Sequence, residues 1–217
     1  IWAKSADTPD TVASLTAEAV AASYGPPGGP VSLILPADSA WLPAAGDPVL
    51  GGLYRLRPDR SVEVLARDFG LTNGPCFSPD GRILYVADSS VDVRTIWAYD
   101  YAPDAPLAHR RAFVQTQSLG AGPDGATVDA QGFLWTALPR IGRLARYAPD
   151  GRLDRMLQMP ATHPTSLCFG GPDLSALYVT SISKSTNLTG PLPQDGGLFE
   201  VTGLPAPGLA PHRYEDI

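Results

Sequence analysis

Three oxygen-bearing side chains stand at the same position ahead of three apolar runs. Asn73, Asp124 and Thr165 each lie four residues before a large apolar residue of such a run. Carboxylate, amide and hydroxyl oxygens that converge on one point suit a hard cation such as Ca²⁺, which takes about six to eight oxygen ligands. The alternative is that Asn73 and Asp124 merely form Asx-type turns ahead of a strand. The spacing alone leaves both interpretations open.

Glycines follow two of these three residues. Gly74 comes directly after Asn73, and Gly125 comes directly after Asp124. Glycine lets the backbone turn sharply and approach a neighbouring group closely. We therefore expect the backbone at both positions to lie close to a ligand.

Two interleaved sets of short apolar and aromatic runs must position these residues. The first set is Gly52–Leu56, Thr95–Tyr99, Arg143–Tyr147 and Gly197–Val201. The second set is Ile83–Ala87, Phe133–Ala137 and Ala176–Thr180. A repeat of about 40 to 50 residues with about four strands is the period of a β-propeller blade. A β-sandwich is the alternative, but the fixed order of the motifs favours the propeller.

In a propeller the first strand of each blade lines the central channel. The three polar residues open these first strands, so the pattern predicts that they meet at one mouth of the channel. The turn after Asn73's strand is the sequence Ser78-Pro-Asp-Gly81. Pro79 presets one backbone angle and Gly81 tolerates a positive φ, which is typical of a tight hairpin.

The first part of the chain has a different character. The Ala-rich stretch from Thr8 to Ser23 predicts a helix, and Val31–Leu35 predicts a buried strand of the kind found in parallel sheets. We therefore predict a short α/β segment over residues 1–48, which replaces missing blade surface poorly, and a partial propeller over residues 49–217.

Composition excludes some partners. Lys and Arg number 16 and Asp and Glu number 22, which gives a net charge of −6 without a basic cluster, so nucleic acid is not expected as a partner. No apolar run approaches the ~20 residues that span a bilayer, so no membrane partner is expected. No secretory signal can be read, and we expect a cytoplasmic protein.

The remaining candidate ligands are weak. Cys76 and Cys168 each lie in an apolar strand-like run, which predicts buried free thiols rather than a disulfide. His109, His163 and His212 show no metal-ligand spacing, and we expect them at the surface or in turns.

Three longer motifs carry a family resemblance. Thr72–Gly81, Gly122–Trp135 and Pro164–Asp173 resemble the regucalcin/gluconolactonase family, also called the senescence marker protein family, and Gly197–Leu204 resembles its closing strand. The resemblance implies a six-bladed β-propeller that binds one divalent metal ion, Ca²⁺ or Zn²⁺, and hydrolyses sugar lactones. It implies that Asn73 is a metal ligand, and that Asp124 is a metal ligand and the general base or nucleophile.

The chain also departs from that family. The resemblance implies a glutamate ligand in the first blade and substrate-binding Arg and Asn residues in the second, and neither blade has a counterpart here. Six blades at ~45 residues need about 270 residues, whereas about 165 resemble the family. We therefore expect an incomplete all-β six-bladed propeller of about three to four blades, a truncated enzyme with impaired activity, and self-association through its open edges.

Two other functions stay open. One is a non-catalytic propeller fragment that binds a divalent metal weakly or acts as an interaction module. The more distant one rests on Gly25–Asp38, which resembles the end of the pyrimidine-binding domain of thiamine-diphosphate enzymes of the acetolactate synthase type. That resemblance covers residues ~8–45 and implies a fusion to a fragment of such an enzyme.

Overall fold

The computed structural model describes residues 33–37, 51–57, 59–185 and 188–210. These residues form fourteen strands in four antiparallel sheets that follow one another along the chain. Sheet I contains β1 (Leu33–Ala37), β2 (Gly51–Leu56) and β3 (Val62–Phe69). Sheet II contains β4 (Thr72–Phe77), β5 (Ile83–Asp88), β6 (Thr95–Asp100) and β7 (Ala108–Gln115).

The second half of the chain repeats this arrangement. Sheet III contains β8 (Ala126–Val128), β9 (Leu134–Leu138), β10 (Arg143–Tyr147) and β11 (Leu153–Gln158). Sheet IV contains β12 (Pro164–Gly170), β13 (Ala176–Ser181) and β14 (Leu198–Val201). A 3₁₀ helix, Gln117–Leu119, lies between sheets II and III. Within the part of the chain that the structure describes, no helix is long and apolar enough to cross a membrane.

The hairpin turns form as their sequences predict. Between β4 and β5, the carboxylate of Asp80 accepts hydrogen bonds from the Ser78 hydroxyl (2.6 Å) and the backbone N–H of Arg82 (3.1 Å). Gly81 has a φ of +69°, a conformation that glycine adopts without steric cost. Local chemistry therefore fixes the turn that returns the chain from the innermost strand to the second.

The hydrophobic core lies between neighbouring sheets. Phe77 and Leu84 of sheet II pack with Phe69 of sheet I, and Trp135 of sheet III packs with Leu177 of sheet IV. A third cluster joins sheets II and III. The innermost strands β4, β8 and β12 contact one another in succession. Sheets packed face to face, with the first strands of sheets II, III and IV toward the same axis, confirm the predicted all-β propeller architecture.

Strand β1 corrects the prediction for the first part of the chain. It pairs antiparallel with β2, from Leu33 opposite Leu56 to Ala37 opposite Gly52, so the assignment to a parallel-type sheet is wrong. The strand adds to a blade sheet because the edge of β2 is available to it, so this segment supplies one strand of blade surface. The predicted helix at residues 8–23 lies outside the described residues, and the division at residues 48/49 stays a prediction.

The position of β1 within its blade follows from the set of sequence runs to which its partner β2 belongs. β2 belongs to the same set of runs as β6, β10 and β14, which are the third strands of their sheets. β1 therefore takes the position of a second strand. Among the described residues, sheet I has no innermost strand and sheet IV has no fourth strand.

One of the two cysteines is not where the sequence places it. Both thiols are free, as predicted, and Cys76 is buried, where desolvation raises the pKa of its thiol. Cys168, however, is exposed. It lies on the face of β12 opposite Leu167, which packs toward sheet III, and no described sheet covers that other face.

Candidate functional site

Each innermost strand carries a β-bulge at the end where it begins. In β4 the register shifts between Asn73 and Cys76, and in β12 it shifts around Thr165. Ahead of β8, both Asp124 and Gly125 pair with Ala137, so two residues again stand opposite one. Bulges bend a strand and re-aim its side chains, and they are common next to active sites. The three predicted site residues therefore each stand at a bulge. Their equal spacing from the apolar runs reflects this shared position.

The beginnings of these strands lie side by side, and we call this end of the sheets the mouth. Gly74 has a φ of +48°, and a Cβ there would lie 2.6 Å from the carbonyl oxygen of Asp124. The N–H of Gly125 donates a hydrogen bond to the carbonyl of Thr165 (2.8 Å). Both glycines thus permit contact between adjacent innermost strands. Approach of this backbone to a ligand stays a prediction.

Asn73 is buried at the mouth, and its side chain has a defined orientation. Its Nδ2 donates a hydrogen bond to the Ser89 hydroxyl (2.8 Å), and that hydroxyl donates to the carbonyl of Pro123. An Asx turn would need the backbone N–H two residues on, but Pro75 has none. With Nδ2 bonded to Ser89, Oδ1 is the atom that Asn73 offers to a cation.

Asp124 is half-buried and follows Pro123 directly. Its backbone N–H donates to the carbonyl of Ala137 (3.0 Å), which anchors the bulge to β9. Ser89 links Asn73 to Pro123, so the side chain of Asn73 in one blade is connected to the backbone directly ahead of Asp124 in the next. Nothing in the spacing of the sequence identified Ser89, although its position directly after β5 places it at the mouth.

Thr165 is at the mouth but is already bonded within its own sheet. It is buried, and its hydroxyl shares a hydrogen bond of 2.9 Å with the hydroxyl of Thr180. Because its hydroxyl is bonded to Thr180 in the same sheet, the side chain of Thr165 has a structural role. The pair Asn73 and Asp124 therefore remains as the candidate ligand set.

The donor types at the mouth fit a hard divalent cation, but they are few. An amide oxygen and a carboxylate are ligands that Ca²⁺ accepts, and water supplies other positions in many sites. Among the residues that the structure describes, no group of three or more His, Cys, Asp or Glu side chains could hold a metal ion. The described mouth thus offers two protein ligands of the appropriate kind.

One histidine lies near the mouth. His163 is in the turn before β12, which agrees with the expectation of a surface or turn position, and its side chain is buried. Its Nδ1 accepts a hydrogen bond from the backbone N–H of Arg140 (3.0 Å), and its Nε2 lies 3.3 Å from the carbonyl of Thr189. His109 is exposed in β7, as expected, and His212 lies outside the described residues.

The other buried charges are structural. Asp88 accepts hydrogen bonds from the N–H groups of Gly70 (2.9 Å) and Leu71 (3.1 Å). Asp129 is fully buried and bonds Arg146 and the indole of Trp135. Because these carboxylates already have several donors, they hold loops and strands together and are not part of the candidate site.

The chain matches one protein family over much of its length. The family model described as SMP-30/Gluconolactonase/LRE-like region matches residues 38–183. Regucalcin from Bos taurus is 36% identical over 171 residues, which cover 76% of this chain and 56% of that relative. The chain thus spans about half the length of the curated relatives it matches.

Two solved structures resemble the fold. A calcium-binding protein, regucalcin, from Agrobacterium tumefaciens has a TM-score of 0.73 and 26% sequence identity, covering 88% of this chain and 63% of that chain. A gluconolactonase from Xanthomonas campestris has a TM-score of 0.53 and 29% sequence identity, covering 63% and 44%. With the family match extending from residue 38 to residue 183, the chain belongs to the SMP-30/Gluconolactonase/LRE-like family.

Proposed function

We propose that this chain is a metal-dependent sugar-lactone hydrolase whose site is the mouth of its innermost strands. The observation that carries the proposal is the position of Asn73 and Asp124 at the beginnings of adjacent innermost strands, where Ser89 links Asn73 to the backbone ahead of Asp124 and Gly74 lies against the carbonyl of Asp124. Membership of the family, and the resemblance to a solved gluconolactonase, support the reaction class. The resemblance to a solved calcium-binding protein supports a divalent ion, Ca²⁺ or Zn²⁺.

In this proposal Asn73 Oδ1 and the Asp124 carboxylate bind the ion. A bound divalent ion would supply positive charge that polarises the lactone carbonyl and lowers the pKa of a water molecule. The Asp124 carboxylate accepts the proton of the attacking water as a new bond forms between that water's oxygen and the carbonyl carbon. The ring C–O bond then breaks, and the proton passes to the departing ring oxygen, which gives the hydroxy acid.

The number of ligands also predicts how tightly the site binds a metal ion. Two protein oxygens leave most positions of a Ca²⁺ ion to water, and each missing carboxylate weakens binding. We therefore expect metal affinity and activity below those of the longer relatives. The second candidate function, a non-catalytic propeller fragment with weak metal binding or an interaction role, is favoured by this same shortage. The cytoplasmic location stays a prediction.

The proposal is tested by hydrolysis of glucono-δ-lactone, followed by titrating the released acid at constant pH. The chain is first treated with a chelator and then supplied with Ca²⁺ or Zn²⁺. We expect metal-dependent hydrolysis above the buffer rate, and a loss of about 100-fold or more in Asp124→Asn, where the general base is removed. Asp173→Asn, which changes a carboxylate in the turn between β12 and β13, is the matched control.

Hydrolysis at the buffer rate by the folded, metal-supplied protein would exclude the enzyme and leave the non-catalytic alternative. Equal rates for the wild type and Asp124→Asn would show that catalysis occurs elsewhere. A requirement for thiamine diphosphate would instead favour the resemblance in residues ~8–45.

A further inference from the structure

The segment between β13 and β14 lies at the same end of the sheets as Asn73 and Asp124. Pro164, at the start of β12, pairs with Ser181, at the end of β13. The connection that follows therefore leaves sheet IV at the mouth. We call its residues 188–197 the strap.

The strap is attached to the backbone ahead of β12 by one carboxylate. Oδ1 of Asp195 accepts a hydrogen bond from the N–H of Thr162 (2.6 Å). Its Oδ2 accepts bonds from the Thr162 hydroxyl (3.1 Å) and from the N–H of Leu192 (2.9 Å). Gly190 packs directly on Asp195, where a Cβ at residue 190 would lie 2.3 Å from the Cβ of Asp195. One side chain thus joins both limbs of the strap to Thr162.

His163 provides a second attachment. Its Nδ1 accepts the N–H of Arg140, so the proton of the neutral ring lies on Nε2, which faces the carbonyl of Thr189. The ring therefore joins the loop between β9 and β10 to the strap. With both nitrogens bonded and the side chain buried, His163 is not available as a proton acceptor for a substrate.

These attachments reach the candidate site through a short length of backbone. Thr162 and His163 lead into Thr165, whose carbonyl accepts the N–H of Gly125, next to Asp124. The strap is therefore attached to sheet IV close to the point where β12 contacts the backbone beside Asp124.

We propose that Asp195 and His163 are positioning residues that hold the strap at the mouth, where the strap forms one wall of the binding site for the sugar lactone. This inference rests on the proposed function for its substrate class. Neither residue contacts the reacting atoms. Their loss therefore weakens substrate binding, while the rate of the chemical step is retained.

Hydrogen exchange tests the attachment without reference to activity. In Asp195→Ala we expect the amides of Thr162 and of residues 188–197 to exchange about ten-fold faster, because bonds to a charged acceptor are lost. Asp195→Asn, which keeps one acceptor oxygen, should recover part of this protection. Glu200→Gln, which changes an exposed carboxylate on β14, should leave exchange at the strap unchanged. Unchanged exchange in Asp195→Ala would overturn the attachment.

The wall is tested by two further measurements. Sodium gluconate, the product of the proposed reaction, should slow hydrogen exchange of the strap in the wild type. Equal exchange with and without gluconate would overturn the proposal that the strap forms a wall of the binding site.

In lactone hydrolysis, Asp195→Ala and His163→Ala should raise KM about three- to ten-fold and leave kcat within about two-fold. A fall in kcat at constant KM would contradict a positioning role. Gluconate protection without any hydrolysis would refute the proposed reaction but support the wall.

Discussion

Asn73, Gly74 and Asp124 show how two residues distant in sequence come to share a site. Gly74 takes a positive φ and lies against the carbonyl of Asp124, while the Asn73 amide reaches Ser89, which bonds to Pro123. The spacing of the polar residues predicted that they meet, because equivalent positions of successive blades face one axis. The bulges and the Ser89 bridge were not predicted, because they depend on contacts between residues far apart in the chain.

Gly74→Ala should disturb this arrangement specifically. Its Cβ would lie 2.6 Å from the Asp124 oxygen and 2.8 Å from the nitrogen of Ala126, both of them backbone atoms that cannot move aside cheaply. Gly171→Ala is the matched control, since Gly171 also has a positive φ, +84°, but nothing lies within 4 Å. We expect Gly74→Ala to lose about 1–3 kcal/mol more stability than the control in urea unfolding. Equal losses would show that backbone conformation alone requires glycine there.

At the scale of elements, the second and third strands of sheets II to IV and the third strand of sheet I were predicted well, and the fourth strands were not. The run Arg143–Tyr147 coincides with β10, and Ile83–Ala87 differs from β5 by one residue. These strands are mostly buried, so apolar and aromatic residues predominate in their sequences. The outer strand β7 is mostly exposed and contains His109, Arg110 and Arg111, so its sequence carries no apolar pattern.

Buried arginines were also beyond prediction from the sequence. Arg55 of β2 and Arg146 of β10 occupy corresponding positions, each three residues before a proline in the sequence, and both are buried. Arg55 donates to the carbonyls of Ala102 (3.1 Å) and Ala105 (3.0 Å) in the next blade. A charged residue in a strand predicts an exposed position, and only these tertiary partners make burial favourable.

Removing the partner of Arg146 should destabilise the protein strongly. Oδ2 of Asp129 accepts hydrogen bonds from Nε (2.8 Å) and Nη2 (2.7 Å) of Arg146, and both side chains are buried. Asp129→Ala should cost about 3–5 kcal/mol, because it leaves a buried cation without this partner. Asp154→Ala removes the outer, more exposed partner of the same arginine and should cost about 0–1 kcal/mol. Chemical denaturation measures the loss in the free energy of unfolding for both variants. Similar losses would contradict a special structural role for the buried pair of Asp129 and Arg146.

At the scale of the molecule, several carboxylates make the folded protein less stable as the pH falls. The Ser61 hydroxyl and N–H lower the pKa of Asp59, hydrogen bonds from His109 and Arg111 lower that of Asp100, and one from Arg55 lowers that of Glu63. A lowered pKa in the folded state means stability that is complete above the unfolded pKa and lost as the pH falls through the folded pKa. We expect Tm to stay level from pH 7 to about 5 and to fall below about pH 4. A Tm that stays constant down to pH 3 would contradict these contacts.

Open sheets at both ends of the described fold predict self-association. On sheet I, Val62 and Val64 are 45% and 41% exposed, and on the last strand of sheet IV, Leu198 is 68% exposed. Exposed apolar side chains next to unpaired strand edges favour contact between copies. Light scattering after size exclusion should give a mass that rises with concentration. Leu198→Asp should reduce that rise, whereas Val91→Asp, in the loop between β5 and β6, should not. A constant monomer mass at all concentrations would refute this expectation.

The most direct test of the account is calorimetric titration of Ca²⁺ and Zn²⁺ into the chelator-treated chain. The wild type should bind one divalent ion weakly, with a Kd of about 10⁻⁴–10⁻³ M for Ca²⁺, as a site of few protein ligands predicts. Asn73→Ala and Asp124→Asn should each abolish measurable binding, while Thr165→Val, which alters the third residue of the series, should retain it. Binding that survives both Asn73→Ala and Asp124→Asn would place the metal elsewhere and contradict the assignment of the mouth as the site.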